Sequence, residues 1–159
     1  VTYSDIVFEQ KIIQQMLEIT DGIRLAVNLN WKKYYQNRSM HSLSEAENVL
    51  VENERILQIR KNISKSLQNQ QIGEFLGIMM LSSDHVKILL ERYSYLKKNH
   101  IGTFHNSSSL SNAYITDMLQ DIINCGINVN PIFTEGKWCE VDTPEDLKNA
   151  EKIINKFQS

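Results

Sequence analysis

The chain has 159 residues, of which 42% are hydrophobic and 23% charged, as is ordinary for a single globular domain with one core. The formal net charge is −2, so the chain lacks the excess of basic residues that is typical of nucleic-acid-binding proteins. The longest clean apolar run, residues 75–81, is too short to cross a bilayer. Two cysteines without zinc-site spacing, together with the lack of an export leader, favour a cytoplasmic protein.

The first half of the chain alternates short apolar runs with one helical period. The apolar runs are typical of strands, and the polar, aromatic stretch 29–43 is typical of a loop with a short helical turn. The turn signal Glu52-Asn53-Glu54 between two apolar runs predicts a hairpin. The predicted elements are a strand over 1–8, a helix over 12–19, a strand over 23–27, a hairpin of 49–51 with 55–59, and a strand over 74–81.

The second half adds two helices and two strands. Ser83-Asp84 and Lys97-Lys98 mark the ends of the first helix, and Asn124-Cys125-Gly126 ends the second. Strands are predicted over 127–133 and 138–141. The predicted core faces of the two helices are Val86, Leu89, Leu90, Tyr93 and Leu96 in the first, and Tyr114, Met118 and Ile122 in the second.

A closing helix has the clearest start signal in the chain. Thr143 is predicted as its N-cap, Pro144 takes the first helical position, and Asp146 lies three residues after the cap. The overall order is β-α-β, a hairpin insert, then β-α-α-β-β-α, which predicts an α/β layered fold. The predicted buried stripe of the closing helix is Leu147, Ala150, Ile154 and Phe157.

Acidic side chains near two strand ends are the first candidates for chemistry. Asp5 follows residues 1–4, and Glu140 and Asp142 follow Trp138 on one face of the later strand. Ligands bind at the carboxyl ends of strands in open α/β sheets, and a parallel sheet would bring these carboxylates to one cleft. Carboxylate oxygens suit Mg²⁺. Each acid also has a structural alternative, Asp5 in a turn and Asp142 as an acceptor beside the helix start.

Five segments resemble one enzyme family in the expected order. WCEVDTPEDLKNAEKII, residues 138–154, resembles the C-terminal signature of nucleotidyltransferases that make sugar-nucleotide and cytidylyl products. The most similar subfamily is the cytidylyltransferases acting on phosphocholine or small phosphonates, including domains fused to phosphoenolpyruvate phosphomutases. The resemblance implies a three-layer, Rossmann-like sheet of the glycosyltransferase-A type, with helices on both faces and a hairpin insert. The other four segments are TYSDIVF, IRLAVNLNWKKYYQNR, AENVLVENERILQIRKNI and IGEFLGIMMLS.

The resemblance also implies a reaction. Such enzymes join CTP to a phosphorylated or phosphonylated acceptor, such as phosphocholine or 2-aminoethylphosphonate, and release pyrophosphate. Asp5 and Asp142 would hold Mg²⁺, with Glu140 as an additional ligand. Lys61 and Arg38 would supply positive charge for two anionic substrates, although a solvated surface position is the alternative for each.

Aromatic and polar side chains are candidates for binding the acceptor. Trp31, Tyr34, Tyr35 and Trp138 would form a cage for a quaternary ammonium group. In the alternative, Trp31 and Tyr35 only pack the loop onto the sheet. Glu74 resembles a family position near the acceptor pocket, with a solvated edge position as its alternative. The four histidines, His41, His85, His100 and His105, show no metal-ligand pairing on a common helix face and are expected in surface or helix-end roles.

Departures from the family pattern predict a partial domain over 1–159 that carries the metal and acceptor half of a site. The Gly-rich phosphate loop, the lysine after it and the first strands of the sheet have no counterpart, and Asn28 stands where relatives often carry aspartate. An unpaired edge over 1–8 would favour self-association or pairing with the N-terminal segment. A non-catalytic interaction or regulatory module is one alternative. A glycosyltransferase using Glu140-Val141-Asp142 is another.

Overall fold

The computed structural model describes residues 1–36, 38–64 and 66–155. Phe157, predicted in the closing helix, lies outside them. The element order is the predicted one, hairpin insert included. The elements are β1 (Ile6–Phe8), α1 (Gln10–Leu17), β2 (Ile23–Asn28), α2 (Lys32–Tyr35), β3 (Glu47–Glu52), β4 (Arg55–Lys61), β5 (Gln70–Leu81), α3 (Ser83–Asn99), α4 (Ile115–Asn124), β6 (Val129–Phe133), β7 (Trp138–Glu140) and α5 (Pro144–Asn155).

The main sheet has five strands in the order β4-β3-β5-β2-β6, and β1 pairs with β7 beside it. β2 and β6 run parallel, whereas the β2–β5, β3–β4, β3–β5 and β1–β7 pairs are antiparallel. The β3–β4 hairpin turns at Asn53 and Glu54, which have φ of 48° and 60°. Two successive positive φ values match a tight hairpin turn whose twist suits the flanking strands. The sheet is therefore mixed, with mostly antiparallel neighbours.

Helices cover both faces of the sheet. Leu25 of β2 packs in one cluster with Leu119 and Ile122 of α4. Ala26, the next residue, packs in a second cluster with Ile12 of α1 and with Trp138. Successive strand residues point to opposite faces, so β2 contributes to both layers of core. This arrangement confirms the predicted three-layer α/β fold.

The opening segment differs from the predicted continuous, unpaired strand. Thr2 forms a bridge with Ile78 in β5, and the chain bends at Ser4 and Asp5 before β1 pairs with β7. Gly77 has φ +67°, and a Cβ there would lie 2.4 Å from Cδ2 of Tyr3. A glycine is required because it allows both this backbone conformation and the close approach of the Tyr3 ring. The predicted continuous, unpaired strand over 1–8 is therefore wrong, whereas association through this segment stays a prediction.

The predicted faces of three helices also need correction. Leu90 and Tyr93 of α3 are 55% and 39% exposed, because α3 packs against α4 and the end of β5 through a face that includes Leu96. Tyr114 is the N-cap of α4 and is 68% exposed, so it lies outside the core. In α5, Ala150 is buried, as predicted, while Leu147 is 53% exposed. None of the helices in the described part of the chain has the length and apolar character needed to cross a membrane.

Candidate metal and acceptor site

The carboxylates predicted from the two ends of the chain lie around one pocket. Antiparallel pairing sets Ile6 opposite Glu140, and the Val141 backbone N–H donates to the Asp5 carbonyl at 2.8 Å. Asp5, Glu140 and Asp142 all line a pocket of about 390 Å³. The predicted route was wrong, because Asp5 precedes β1 and the pairing is antiparallel. The start of β1 lies beside the end of β7, and this juxtaposition gathers the acids.

Aromatic and charged side chains complete this pocket, which is called the acidic pocket below. An adjoining pocket of about 440 Å³ shares Glu47, Lys61 and Tyr114 with it, so the two form a continuous cleft. The remaining residues of the acidic pocket are Tyr3, His41 and Glu45.

The acidic pocket concentrates negative charge in partly buried positions. Burial, followed by the neighbouring charge of Asp142, raises the pKa of Glu140 to about 7. Burial likewise raises the pKa of Glu47, whose carboxylate accepts a hydrogen bond from the Tyr3 hydroxyl at 2.9 Å. Lys61 pairs with Glu45 at 2.8 Å on the exposed rim. Such a group of carboxylates is stabilised by a bound cation.

His41 lies in this cluster, although sequence reasoning expected a surface role for it. Its Nδ1 is 3.2 Å from Oδ2 of Asp142. One potential ligand atom each from His41, Glu140 and Asp142 lie within 4.8 Å of one another. A nitrogen and several carboxylate oxygens form a donor set that fits a divalent cation. No local pattern in the sequence signals this contact, because His41 belongs to a loop remote from residue 142.

Arg38 is a buried side chain next to Asp142, one of the candidate metal ligands. Its side chain is only 7% exposed, and its Nε donates to Asp146 at 2.7 Å. Its Nη2 lies 3.9 Å from Oδ2 of Asp142. Asp146 also accepts from the Thr143 backbone N–H at 3.0 Å, in the predicted capping arrangement of α5. Arg38 thus connects the loop after α2 to the start of α5, and its predicted contact with a substrate phosphate stays a prediction.

Glu74 is buried in β5, which excludes the solvated alternative. It is 2% exposed, and its carboxylate accepts a hydrogen bond from the Tyr35 hydroxyl. Burial raises the pKa of Glu74 to about 8. Trp31 donates from Nε1 to the Ile72 carbonyl at 3.3 Å. The contacts of Trp31 and Tyr35 are those expected if the two rings pack the loop onto the sheet.

The four aromatic residues proposed as a cage are largely core residues. Trp31 and Tyr35 share one buried cluster, Trp138 belongs to another, and Tyr34 packs against both. Trp138 is 1% exposed, and its ring centroid lies 4.9 Å from that of Tyr34. Tyr34 and Trp138 also line a pocket of about 240 Å³ beside α5. Direct contact of these rings with substrate stays a prediction.

The geometry can be compared with known proteins. The chain is 23% identical over 148 residues to the CTP:phosphoglutamine cytidylyltransferase of Campylobacter jejuni, a match that covers 93% of this chain and 56% of that protein. No protein-family model matches the chain. The predicted resemblance to cytidylyl-transferring enzymes is confirmed at this level of similarity.

Solved structures share the fold. The inositol-1-phosphate CTP transferase from T. maritima matches with a TM-score of 0.63 at 20% identity, over 99% of this chain and 55% of that one. A Bacillus anthracis protein described as a glucose-1-phosphate thymidylyltransferase matches with a TM-score of 0.58 at 15% identity, over 96% and 52% of the two chains. The chain therefore has the nucleotidyltransferase fold, and it spans about half the length of the relatives that it matches.

Proposed function

We propose that this protein is a metal-dependent cytidylyltransferase that joins CTP to a small phosphorylated or phosphonylated acceptor and releases pyrophosphate. The chain would supply the metal-binding and acceptor-binding part of the site. The observation that carries the proposal is the meeting of Asp5, Glu140 and Asp142 around one pocket from opposite ends of the chain. The similarity to a curated CTP-using cytidylyltransferase supports the same reaction class.

Asp5, Glu140 and Asp142 would hold a divalent metal, and their carboxylate oxygens are ligands that Mg²⁺ accepts. When bound, the ion would neutralise phosphate charge and help align the acceptor for in-line attack. Lys61 lines the same pocket and would add positive charge at its rim. Arg38 would keep Asp142 and Asp146 in place, since its guanidinium lies between α5 and the loop after α2.

A cationic group on the acceptor suits the rest of the cleft. Glu47 and Glu140 are partly buried acids there, and the Tyr3 and Tyr114 rings line the same pocket. Carboxylates and aromatic faces together attract ammonium groups. Phosphocholine and 2-aminoethylphosphonate each combine such a group with a phosphoryl or phosphonyl end, so they are the proposed acceptors.

The test is pyrophosphate release by the complete protein with Mg²⁺, CTP and either acceptor. Asp142→Ala should abolish release, because it removes a ligand from the metal and phosphate end of the pocket. Asp84→Ala is the matched control, since Asp84 is an exposed acid on α3 paired only with Lys87 among the described residues. Full activity in Asp142→Ala would contradict the assigned role. Intact CTP binding without any turnover would favour the non-catalytic module.

A further inference from the structure

His41 has the position of a metal ligand as well as that of an ion-pair partner. Its Nδ1 lies 3.2 Å from Oδ2 of Asp142. Adjacent ligands on an octahedral cation with bonds of about 2.1 Å lie roughly 3 Å apart, so this spacing suits two neighbouring ligands. Glu140 brings a third donor atom within 4.8 Å of both. Asp5 lines the same pocket from the bend that precedes β1.

The loop that carries His41 is fastened to the first turn of α5. The backbone N–H groups of Ser39 and Met40 donate to Oε2 of Glu145 at 2.8 and 3.2 Å. Arg38 binds Asp146 on the same turn. These contacts hold the loop next to Asp142, which immediately precedes that turn. The imidazole is therefore positioned before any ligand binds, which lowers the entropic cost of using it as a ligand.

The surroundings of His41 leave it available for a cation. Its side chain is 12% exposed, and the Tyr35 ring lies 5.8 Å away on one side. The cation nearest along the cleft rim, Lys61, is already paired with Glu45. Arg38 also approaches the Asp142 carboxylate, with its Nη2 3.9 Å from Oδ2. Apart from Lys61, the charged side chains that line the pocket with the imidazole are acids. A second positive charge at this position would relieve their mutual repulsion.

We propose that His41 is a direct metal ligand and that, with Asp142, Glu140 and Asp5, it makes the centre select a first-row transition ion such as Mn²⁺ or Co²⁺ over Mg²⁺. Imidazole nitrogen binds such ions well, whereas Mg²⁺ strongly prefers oxygen. The inference rests on the proposed function, because it assigns the metal of the same site. An all-carboxylate centre would give a smaller preference over Mg²⁺.

The experiment uses the complete protein loaded with Mn²⁺ alone. Pulsed electron paramagnetic resonance should detect the magnetic coupling of one imidazole nitrogen to the bound Mn²⁺. His41→Leu should remove that coupling and weaken Mn²⁺ binding about tenfold, while Mg²⁺ binding changes less than about threefold. The matched control is His85→Leu. His85 lies 3.9 Å from Asp21 at the opposite end of the β2–β5 pair, and its replacement should leave both affinities and the coupling unchanged.

The outcomes separate this inference from the proposed function. Bound Mn²⁺ without nitrogen coupling in the unaltered protein overturns the inference, as does an unchanged coupling in His41→Leu. In either case, loss of metal binding in Asp142→Asn would still support the carboxylate centre. Unchanged metal binding in Asp142→Asn would instead contradict the proposal that these residues form a metal centre. The unaltered protein's own spectrum decides the question even if His41→Leu folds poorly.

Discussion

Glu74 is a carboxyl group in a position where a negative charge is costly. It is 2% exposed, and burial raises its pKa to about 8 from an ordinary value of 4.5. Between these two pH values the folded protein holds a proton that the unfolded chain releases. Stability therefore falls as pH rises through this range and levels off above the folded-state pKa. Glu140, with a pKa of about 7, acts in the same direction.

Glu74→Gln should flatten this pH dependence, because glutamine cannot ionise. One proton difference changes the free energy of unfolding by about 1.4 kcal/mol per pH unit. Urea unfolding between pH 5 and 8 should therefore show a smaller loss of stability in the variant than in the unaltered protein. Glu151→Gln, an exposed change on α5, is the control and should keep the original slope. Equal slopes for the protein and Glu74→Gln would contradict the assignment.

At the scale of elements, the positive φ within β5 depends on Gly77. A methyl group there would collide with the Tyr3 ring and would also force a side chain into φ +67°. Gly77→Ala should lower the free energy of unfolding by about 3 kcal/mol, combining strain and steric overlap. Gly102 separates the two causes, since its φ is +94° but nothing lies within 4 Å of its added Cβ.

Gly102→Ala should therefore lose only the strain contribution, about 1 kcal/mol. Urea unfolding of both variants gives the comparison. Similar losses in the two proteins would show that the Tyr3 contact is unimportant. Gly77→Ala should lose more stability than Gly102→Ala, and it should also loosen residues 1–5, including Asp5. The reason is that the backbone N–H of Tyr3 donates to the Gly77 carbonyl at 2.9 Å.

A second prediction at the scale of elements concerns the loop that carries His41, which is hydrogen-bonded to α5. Glu145→Ala removes the acceptor for Ser39 and Met40, so His41 should sample more positions. We expect Mn²⁺ binding to weaken several-fold with little change in the unfolding midpoint, since these bonds are exposed. Calorimetric titration measures the binding. Glu151→Ala is the control on the same helix, and equal Mn²⁺ affinity in both variants would argue against preorganisation.

For the whole molecule, the proposed metal binding at the acidic pocket would be linked to stability. A ligand at about 100 times its Kd stabilises the folded state by about 2.7 kcal/mol, which corresponds to a rise of several degrees in Tm for a chain of this size. Thermal unfolding with Mg²⁺ or Mn²⁺ should therefore show an upward shift that a chelator reverses. The shift should be absent in Asp142→Asn. A shift of equal size in that variant would place the ion elsewhere.

Local patterns predicted much of the chain because their causes are local. The capping residues Thr143 and Asp146 bond to each other across three positions, so their sequence spacing is sufficient to locate the start of α5. The hairpin turn at Asn53 and Glu54 depends on adjacent backbone angles. The apolar run over 23–27 predicted the strand that the structure has as β2. The order of elements predicted an α/β layered fold, and its nucleotidyltransferase type was implied by the resemblance alone.

The sequence by itself determined the order of elements, the main capping residues and the candidate acids Asp5, Glu140 and Asp142. Only the tertiary structure decided how those acids meet, because strand direction is a long-range property and β1 pairs antiparallel to β7. It also decided that His41 lies beside Asp142, since that contact depends on a loop docked onto a helix far along the chain. Periodicity limits which faces of a helix can be buried, whereas the packing of neighbouring elements selects the face.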